Sequence, residues 1–354
     1  MNLYIYLIFF LGLLIFAYLA MGNKDSRDKT IYLGVLCFAI WMLMGLRDVT
    51  IGTDTKSYVH IFERACLYGN NWLESVLTKM REPLFYIITW LVSLFSDNYT
   101  AYLLVWAGFP AIGLFIILNR YLNNTIECYE ALIVLCMLGL YAFFVAGIRQ
   151  TAAISIVLIS FKYLQNANFW KFAMCIAIAA MIHNSVIMFL IAYPLRWAKI
   201  KWWYIIVLLI VLILSTKIKL DIIVKYSALL FGNRFESYGT IYQSSQNMSA
   251  FFVQLALFLI CFIKIKPLIS KDTTNNILFV LITIGLFFQS LAGLLAEMSR
   301  ISFYFSAFAI ILVPRALQEY PPRYRPLVNG TFIMVCLFLL LFVSKSNLPI
   351  YKFA

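Results

Sequence analysis

Apolar residues fill the chain in long blocks, and the polar positions between them are few and clustered. Runs such as "WYIIVLLIVLILS" (203–215) show neither the alternation of a half-buried strand nor a polar helical face. Blocks of this kind lie near 3–21, 30–46, 99–118, 131–147, 150–161, 171–193, 203–216, 250–263, 276–294, 301–313 and 327–344. Since about 20 helical residues cross the hydrocarbon layer, the pattern predicts an all-α, polytopic integral membrane protein with about 10–13 transmembrane or re-entrant helices. A membrane barrel would need short alternating segments instead. The block 82–96, "EPLFYIITWLVSLFS", is short and opens on Glu-Pro. It is expected as an interfacial or re-entrant helix, because Pro is tolerated in the first turn.

Two blocks are polar only at their centres. "MLGLYAFFVAGIRQTAAISIVLISFKYL" carries Arg149 there, and "FAMCIAIAAMIHNSVIMFLIAYPLRW" carries His183. Each is read as two half-length helices meeting at the polar residue in a water-filled cavity, where non-helical backbone is tolerated at membrane depth. With these breaks, the loops 23–29, 119–130, 162–171, 195–202, 264–271 and 314–326 fall on one side. All are short and carry Lys or Arg, which marks them as cytoplasmic. The two longer loops, 47–81 and 217–249, then face outward over an active cavity in a single transmembrane domain covering 1–354. The run 3–21 has no basic residues before it and is longer than a signal-peptide core, so it is expected to remain as the first span.

Composition agrees: 64% of the 354 residues are hydrophobic and 12% charged, where soluble domains run near half and a quarter. The net charge of +13 is scattered through loops with no continuous basic face. It therefore reports topology and argues against a nucleic-acid partner. Seven cysteines, mostly inside apolar runs, offer no disulfide framework and no CxxC spacing. With only two histidines, a closed zinc site is not expected, nor is a metal or other cofactor. No phosphate-cradling Gly loop is present, which argues against ATP use.

The residues left over carry the candidate chemistry. Arg47, Asp48, Asp54, Thr55, Tyr58, Arg81, Glu82, Arg149, Gln150, His183, Ser185, Arg234, Glu297 and Arg300 all fall on the outward side of this assignment. An ionisable group at membrane depth costs a few kcal/mol or more unless paired or hydrated, so each raises a functional question. Arg149 has no acid near it in sequence. It snorkels or pairs with a distant Glu for stability, or it is an anion site, since a guanidinium is a planar fork of five donors that fits phosphate. Arg47, Arg234 and Arg300 are candidates to join it. His183 is either a satisfied core histidine or a proton acceptor at a helix break beside Asn184 and Ser185. In "RDVTIGTDTKSY", Gly52 permits a tight turn and Asp54-Thr55 can cap a following helix, with Asp54 and Tyr58 on one face. Capping does not account for Arg47 and Asp48. In "AEMSR", Glu297 and Arg300 are spaced for an internal ion pair.

The segments "LRDVTIGTDTKSYVHIF", "REPLFYIITWLVS", "GIRQTAAISIVLISFKYL", "AAMIHNSVIMFLIAYP" and "NLPIYKF" resemble, in order and along nearly the whole chain, the EpsG/Wzy family of bacterial O-antigen and exopolysaccharide polymerases. Leu84 and Val186 stand where that pattern usually has Gly and Ala. The resemblance implies a GT-C-like glycosyltransferase of the bacterial cytoplasmic (inner) membrane. It would join undecaprenyl-pyrophosphate-linked oligosaccharide repeat units at the outer face, amid membrane lipid, with a chain-length regulator and a flippase as pathway companions. On that chemistry, Arg149, Arg47, Arg300 and Arg234 would bind the pyrophosphate. Asp48, Asp54, Glu82 and His183 are candidates for the base that deprotonates the acceptor hydroxyl. Tyr58, Thr55, Gln150 and Ser185 would bind sugar. A flippase for the same lipid-linked sugar and a membrane acyltransferase remain as alternatives. Against the flippase stand the lack of a visible two-fold repeat and charges that lean to one side. Against the acyltransferase stands the poor placement of His60.

Overall fold

The computed structural model describes residues 2–20, 26–78, 82–217, 248–343 and 347–354. Arg81, Arg234 and nearly all of the segment 217–249 lie outside the described residues. Among the described residues the chain forms seventeen α-helices. The first half comprises α1 (Asn2–Ala20), α2 (Ser26–Gly45), α3 (Thr55–Leu77), α4 (Pro83–Ser93), α5 (Tyr99–Tyr121), α6 (Thr125–Met137), α7 (Leu140–Ala146) and α8 (Ile148–Gln165). Then come α9 (Phe169–Ala180), a 3₁₀ helix (Asn184–Ile191) running into α10 (Ala192–Leu195), and α11 (Trp203–Lys217). The remainder comprises α12 (Ser249–Ile263), α13 (Ile265–Lys271), α14 (Asn275–Ser290), α15 (Ala296–Ser306), α16 (Ala309–Leu317) and α17 (Arg325–Phe338).

Three stretches are long and apolar enough to cross a membrane alone: Arg27–Gly45, Tyr99–Tyr121 and Arg325–Val343. Three bent pairs raise the number to six if each is one span: α6 with α7 at 65°, α12 with α13 at 66°, and α15 with α16 at 49°. Large apolar side chains such as Phe38, Ile112, Met334 and Phe338 stand exposed on these helices, an arrangement suited to hydrocarbon rather than water. The protein is an all-α, polytopic membrane protein.

Hydropathy blocks and helices differ in three places, one being the block 301–313, which the bend between α15 and α16 divides. The block 131–147 is not one helix but α6 and α7, because Gly139 at φ 72° breaks the turn between them. The stretch 47–81, expected as a loop, is helical over α3. Tyr58, Val59, Phe62, Ala65 and Trp72 form its buried stripe while Glu63, Arg64 and Glu74 stay exposed. An amphipathic helix of this kind has too little apolar length to read as a span.

The main core is built around α6, every residue of which is buried. A smaller aromatic core joins α3, α4 and the start of α5, with Phe62 stacked on Tyr102 at 4.6 Å and Phe85 against Trp106 at 5.2 Å.

Contacts between loops sort into two sets. In one, Lys29 donates to the carbonyls of Asn119 and Leu122, and Arg315 donates to Tyr121 O, Asp272 and Asn275. Arg196 donates to Leu164 O, and Asn276 to Ala198 O. These bonds gather the basic loops at one end of the bundle. The other set gathers residues near 50, 82, 145–150, 183–185 and 300, and the candidate site lies there.

Candidate functional site

Three helix ends that cannot satisfy their own backbone groups meet at this end. Gly147 (φ −105°, ψ 66°) separates α7 from α8 and puts Arg149 in the first turn of α8. The chain leaves α9 at Met181 and passes through extended His183 into the 3₁₀ helix. Pro83 opens α4, with Glu82 just before it. The ends satisfy one another: Met181 O accepts from the amide of Leu84 at 2.9 Å, while Glu82 Oε1 accepts from the amide of Asn184 at 2.9 Å.

Glu82 is the hub. Its Oε2 accepts from an Arg149 terminal nitrogen at 2.5 Å, and His183 Nδ1 lies 3.1 Å from Oε1, out of line for a hydrogen bond. Arg149 thus has an acid, one that is distant in sequence. The pair is partly buried, with 29% of the Arg149 side chain and 14% of Glu82 exposed. The guanidinium also lies 5.4 Å from the Tyr58 ring centroid and 5.1 Å from that of Phe85, within cation–π range. Its Nε is buried without a hydrogen-bond partner. Burial works to raise the Glu82 carboxyl. The imidazole of His183, the Asn184 amide and Arg149 outweigh it and hold the group below the usual carboxylate range. Burial likewise pushes the Tyr58 phenol up, opposed by Arg149, and Asp54 and Arg300 act on the same hydroxyl.

A second layer continues from the hub. Gln150 donates to the carbonyl of Arg300 at 2.6 Å, joining α8 to α15. Ser185 Oγ and Tyr304 Oη share a hydrogen bond of 2.9 Å. Arg300 and Glu297 approach only to 3.9 Å and both are largely exposed, so that pair contributes little. The structure therefore brings Glu82, Arg149, His183, Tyr58, Gln150, Ser185 and Arg300 into one region.

Asp54 and Thr55 sit beside it. Asp54 occupies the N-cap of α3 without any side-chain cap bond, so its carboxylate is not spent on capping. Thr55 is buried and donates to Ile51 O at 2.6 Å. Gly52, at φ 89°, lets this turn lie against α7: a Cβ there would meet Val145 O at 2.8 Å.

Arg47 and Asp48 have contacts of their own. Arg47 is fully buried, donates to Met44 O, and pairs through its backbone with Phe353. Burial lowers its pKa to about 10. The Asp48 carboxylate accepts from the hydroxyl and amide of Thr50, which hold it below the usual range, and lies 3.7 Å from Lys352. The segment 347–354 thus engages the Asp48 carboxylate and the Arg47 backbone, while Arg47 Nε and one terminal nitrogen are buried without a hydrogen-bond partner among the described residues.

Phe85, Asn184 and Tyr304 complete the region without having been expected as site residues. Tyr304 had a signal, since it stands four residues after Arg300 on one helical face.

Compared with known sequence families, the chain matches the model of the EpsG family over residues 30–353. It belongs to the EpsG family. No curated protein and no solved structure matches the chain. Membership spans every helix from α3 to α17, including all three breaks that build the Glu82 cluster, and points to a polysaccharide-polymerase-like function in a membrane.

Proposed function

We propose that this EpsG-family protein is a polysaccharide polymerase, an integral-membrane glycosyltransferase. It joins undecaprenyl-pyrophosphate-linked oligosaccharide repeats into O-antigen or exopolysaccharide at the outer face of the cytoplasmic membrane. The observation that carries this reading is the cluster of Arg149, Glu82 and His183, partly buried where three helix breaks meet.

As the glycosidic bond to the lipid pyrophosphate breaks, the leaving group gains negative charge. A preorganised cation in a water-poor site stabilises that charge strongly. Arg149 suits the role: Glu82 uses one of its donors and steadies the guanidinium, while the N-terminus of α8 adds a favourable dipole. Arg300, near Tyr58, is a second cation for the same diphosphate. The acceptor hydroxyl must lose its proton as it attacks the anomeric carbon. With Nδ1 turned to Glu82, His183 has Nε2 left to take that proton. Asp54, free of capping duty, is the next candidate, whereas Asp48 is already engaged by Thr50 and Lys352. Glu82, held by three neighbours as a carboxylate, serves better as a positioning group than as the base. Tyr58, Gln150 and Ser185 meet sugar hydroxyls in this reading, and the basic loops at the other end support an exterior orientation for this one.

Deletion followed by sizing of surface polysaccharide on a gel tests the function. A single-repeat band in place of a ladder is the expected outcome, and complete loss of surface sugar would point to export instead. For the base, purified His183→Ala protein given a synthetic lipid-linked repeat should lose turnover, and retained turnover excludes His183.

A further inference from the structure

Beside the Glu82 cluster lies a cavity of about 710 Å³ that no role above uses. Thr53 and Lys56 from the turn into α3, Phe143 and Ala146 of α7, Phe303 of α15 and Ile350 are among the residues that line it. Its position relates it to the site on two sides. Ala146 is three residues before Arg149, and Phe303 is three residues after Arg300 on the same helix. Its size falls within the range of small-molecule sites, roughly 300–1,000 Å³.

The lining has two characters. One wall is aromatic and aliphatic: the rings of Phe143 and Phe303 lie 4.8 Å apart at 40°, a surface on which the C–H faces of a sugar ring can rest. The polar turn also lines the cavity, with Thr53 and Lys56 exposed and engaged in no side-chain hydrogen bond or ion pair among the described residues. Among the described residues Lys56 is the one charged side chain in the lining, and no carboxylate joins it there. Asp54, in the same turn, does not line the cavity. Asp48 is neutralised by Lys352 and held by Thr50. A cation facing an open cavity without a counter-charge selects for an anionic ligand.

We infer that this cavity binds the acceptor glycan and that the sugar seated there carries an anionic substituent, which Lys56 recognises. The inference rests on the polymerase reading, which requires a second carbohydrate beside the one leaving pyrophosphate. Phe143 and Phe303 supply the platform for the ring, and Thr53 meets its hydroxyls.

Saturation-transfer NMR on the purified full-length protein tests this without turnover, using trigalacturonate, maltotriose and inorganic pyrophosphate as probes. Trigalacturonate should receive saturation from the unaltered protein and from Arg149→Ala, and maltotriose much less. Lys56→Ala should weaken trigalacturonate binding roughly tenfold, the ratio expected for one lost charge-assisted contact, and Lys56→Arg should restore it. No binding of trigalacturonate, equal signals from the two glycans, or indifference to Lys56→Ala would overturn the inference. Displacement of trigalacturonate by equimolar pyrophosphate would also overturn it, assigning the cavity to the lipid diphosphate. Because the readout is binding, failure here leaves the polymerase reading intact, while an unchanged polysaccharide ladder after gene deletion would defeat that reading alone.

Discussion

Glu82 lies between two groups that bear positive charge or can acquire it, and its loss should be felt by both. In Glu82→Gln the shape is kept, but Arg149 keeps a partly buried charge without its partner. The expected cost is about 1–3 kcal/mol, read as a lower thermal midpoint in detergent. Adding Arg149→Gln to that variant should recover part of the loss, since the stranded charge is then gone. The sign with pH follows from the lowered pKa of Glu82. Its contribution is present above the ordinary carboxylate range and is lost as pH falls through the lower folded value. Glu82→Gln should therefore show a shallower loss of stability on the acid side. Arg149, His183 and Glu82 were legible in the sequence because each is an isolated polar residue in an apolar setting, which the membrane makes costly. Their mutual contact was not, for it depends on how α4, α8 and α9 are brought together. Arg47 and Asp48 show a different limit: the backbone bonds of Asp48 with Lys352 and of Ala354 with Leu46 tie that stretch to a distant segment. No local pattern announces such a pairing.

At the scale of elements, the site is made by interruptions. The breaks before Arg149 and at His183 could be read from polar residues in mid-block, and both occur. The bend at Gly139 could not, because a glycine inside an apolar run is compatible with an unbroken helix as well. The start of α3 was marked by Asp54-Thr55, but its length was not: its charges sit on one face, and a linear hydropathy reading averages them with the buried stripe. Gly52 joins α3 to the break between α7 and α8, and this predicts a specific failure. Gly52→Ala would force a Cβ to within 2.7 Å of Thr55 Oγ1 and 2.8 Å of Val145 O at a positive φ. The expected penalty is about 1–3 kcal/mol, with a lower thermal midpoint and loss of long polymer. An unaltered midpoint would mean that the turn does not bear on α7.

Across the whole molecule, one end is held by basic residues that donate to carbonyls and carboxylates, and the other gathers the Glu82 cluster and the open cavity. The separation allows stability and chemistry to be altered apart. Arg315→Gln removes links from α16 to Tyr121 O, Asp272 and Asn275, a buried-donor loss of about 1–3 kcal/mol. It should reduce the amount of protein in the membrane and its thermal midpoint, yet leave the length of the polymer made by the surviving molecules unchanged. The central claim is that Arg149 holds charge in the reaction and does not merely brace Glu82. The most direct measurement is the length distribution of surface polysaccharide in Arg149→Ala and Arg149→Lys cells, at membrane protein levels matched to the unaltered strain. Loss of an aimed donor of this kind costs roughly 10²–10³ in rate, so both variants should show single-repeat caps without a ladder. A full ladder in Arg149→Ala cells would contradict the account.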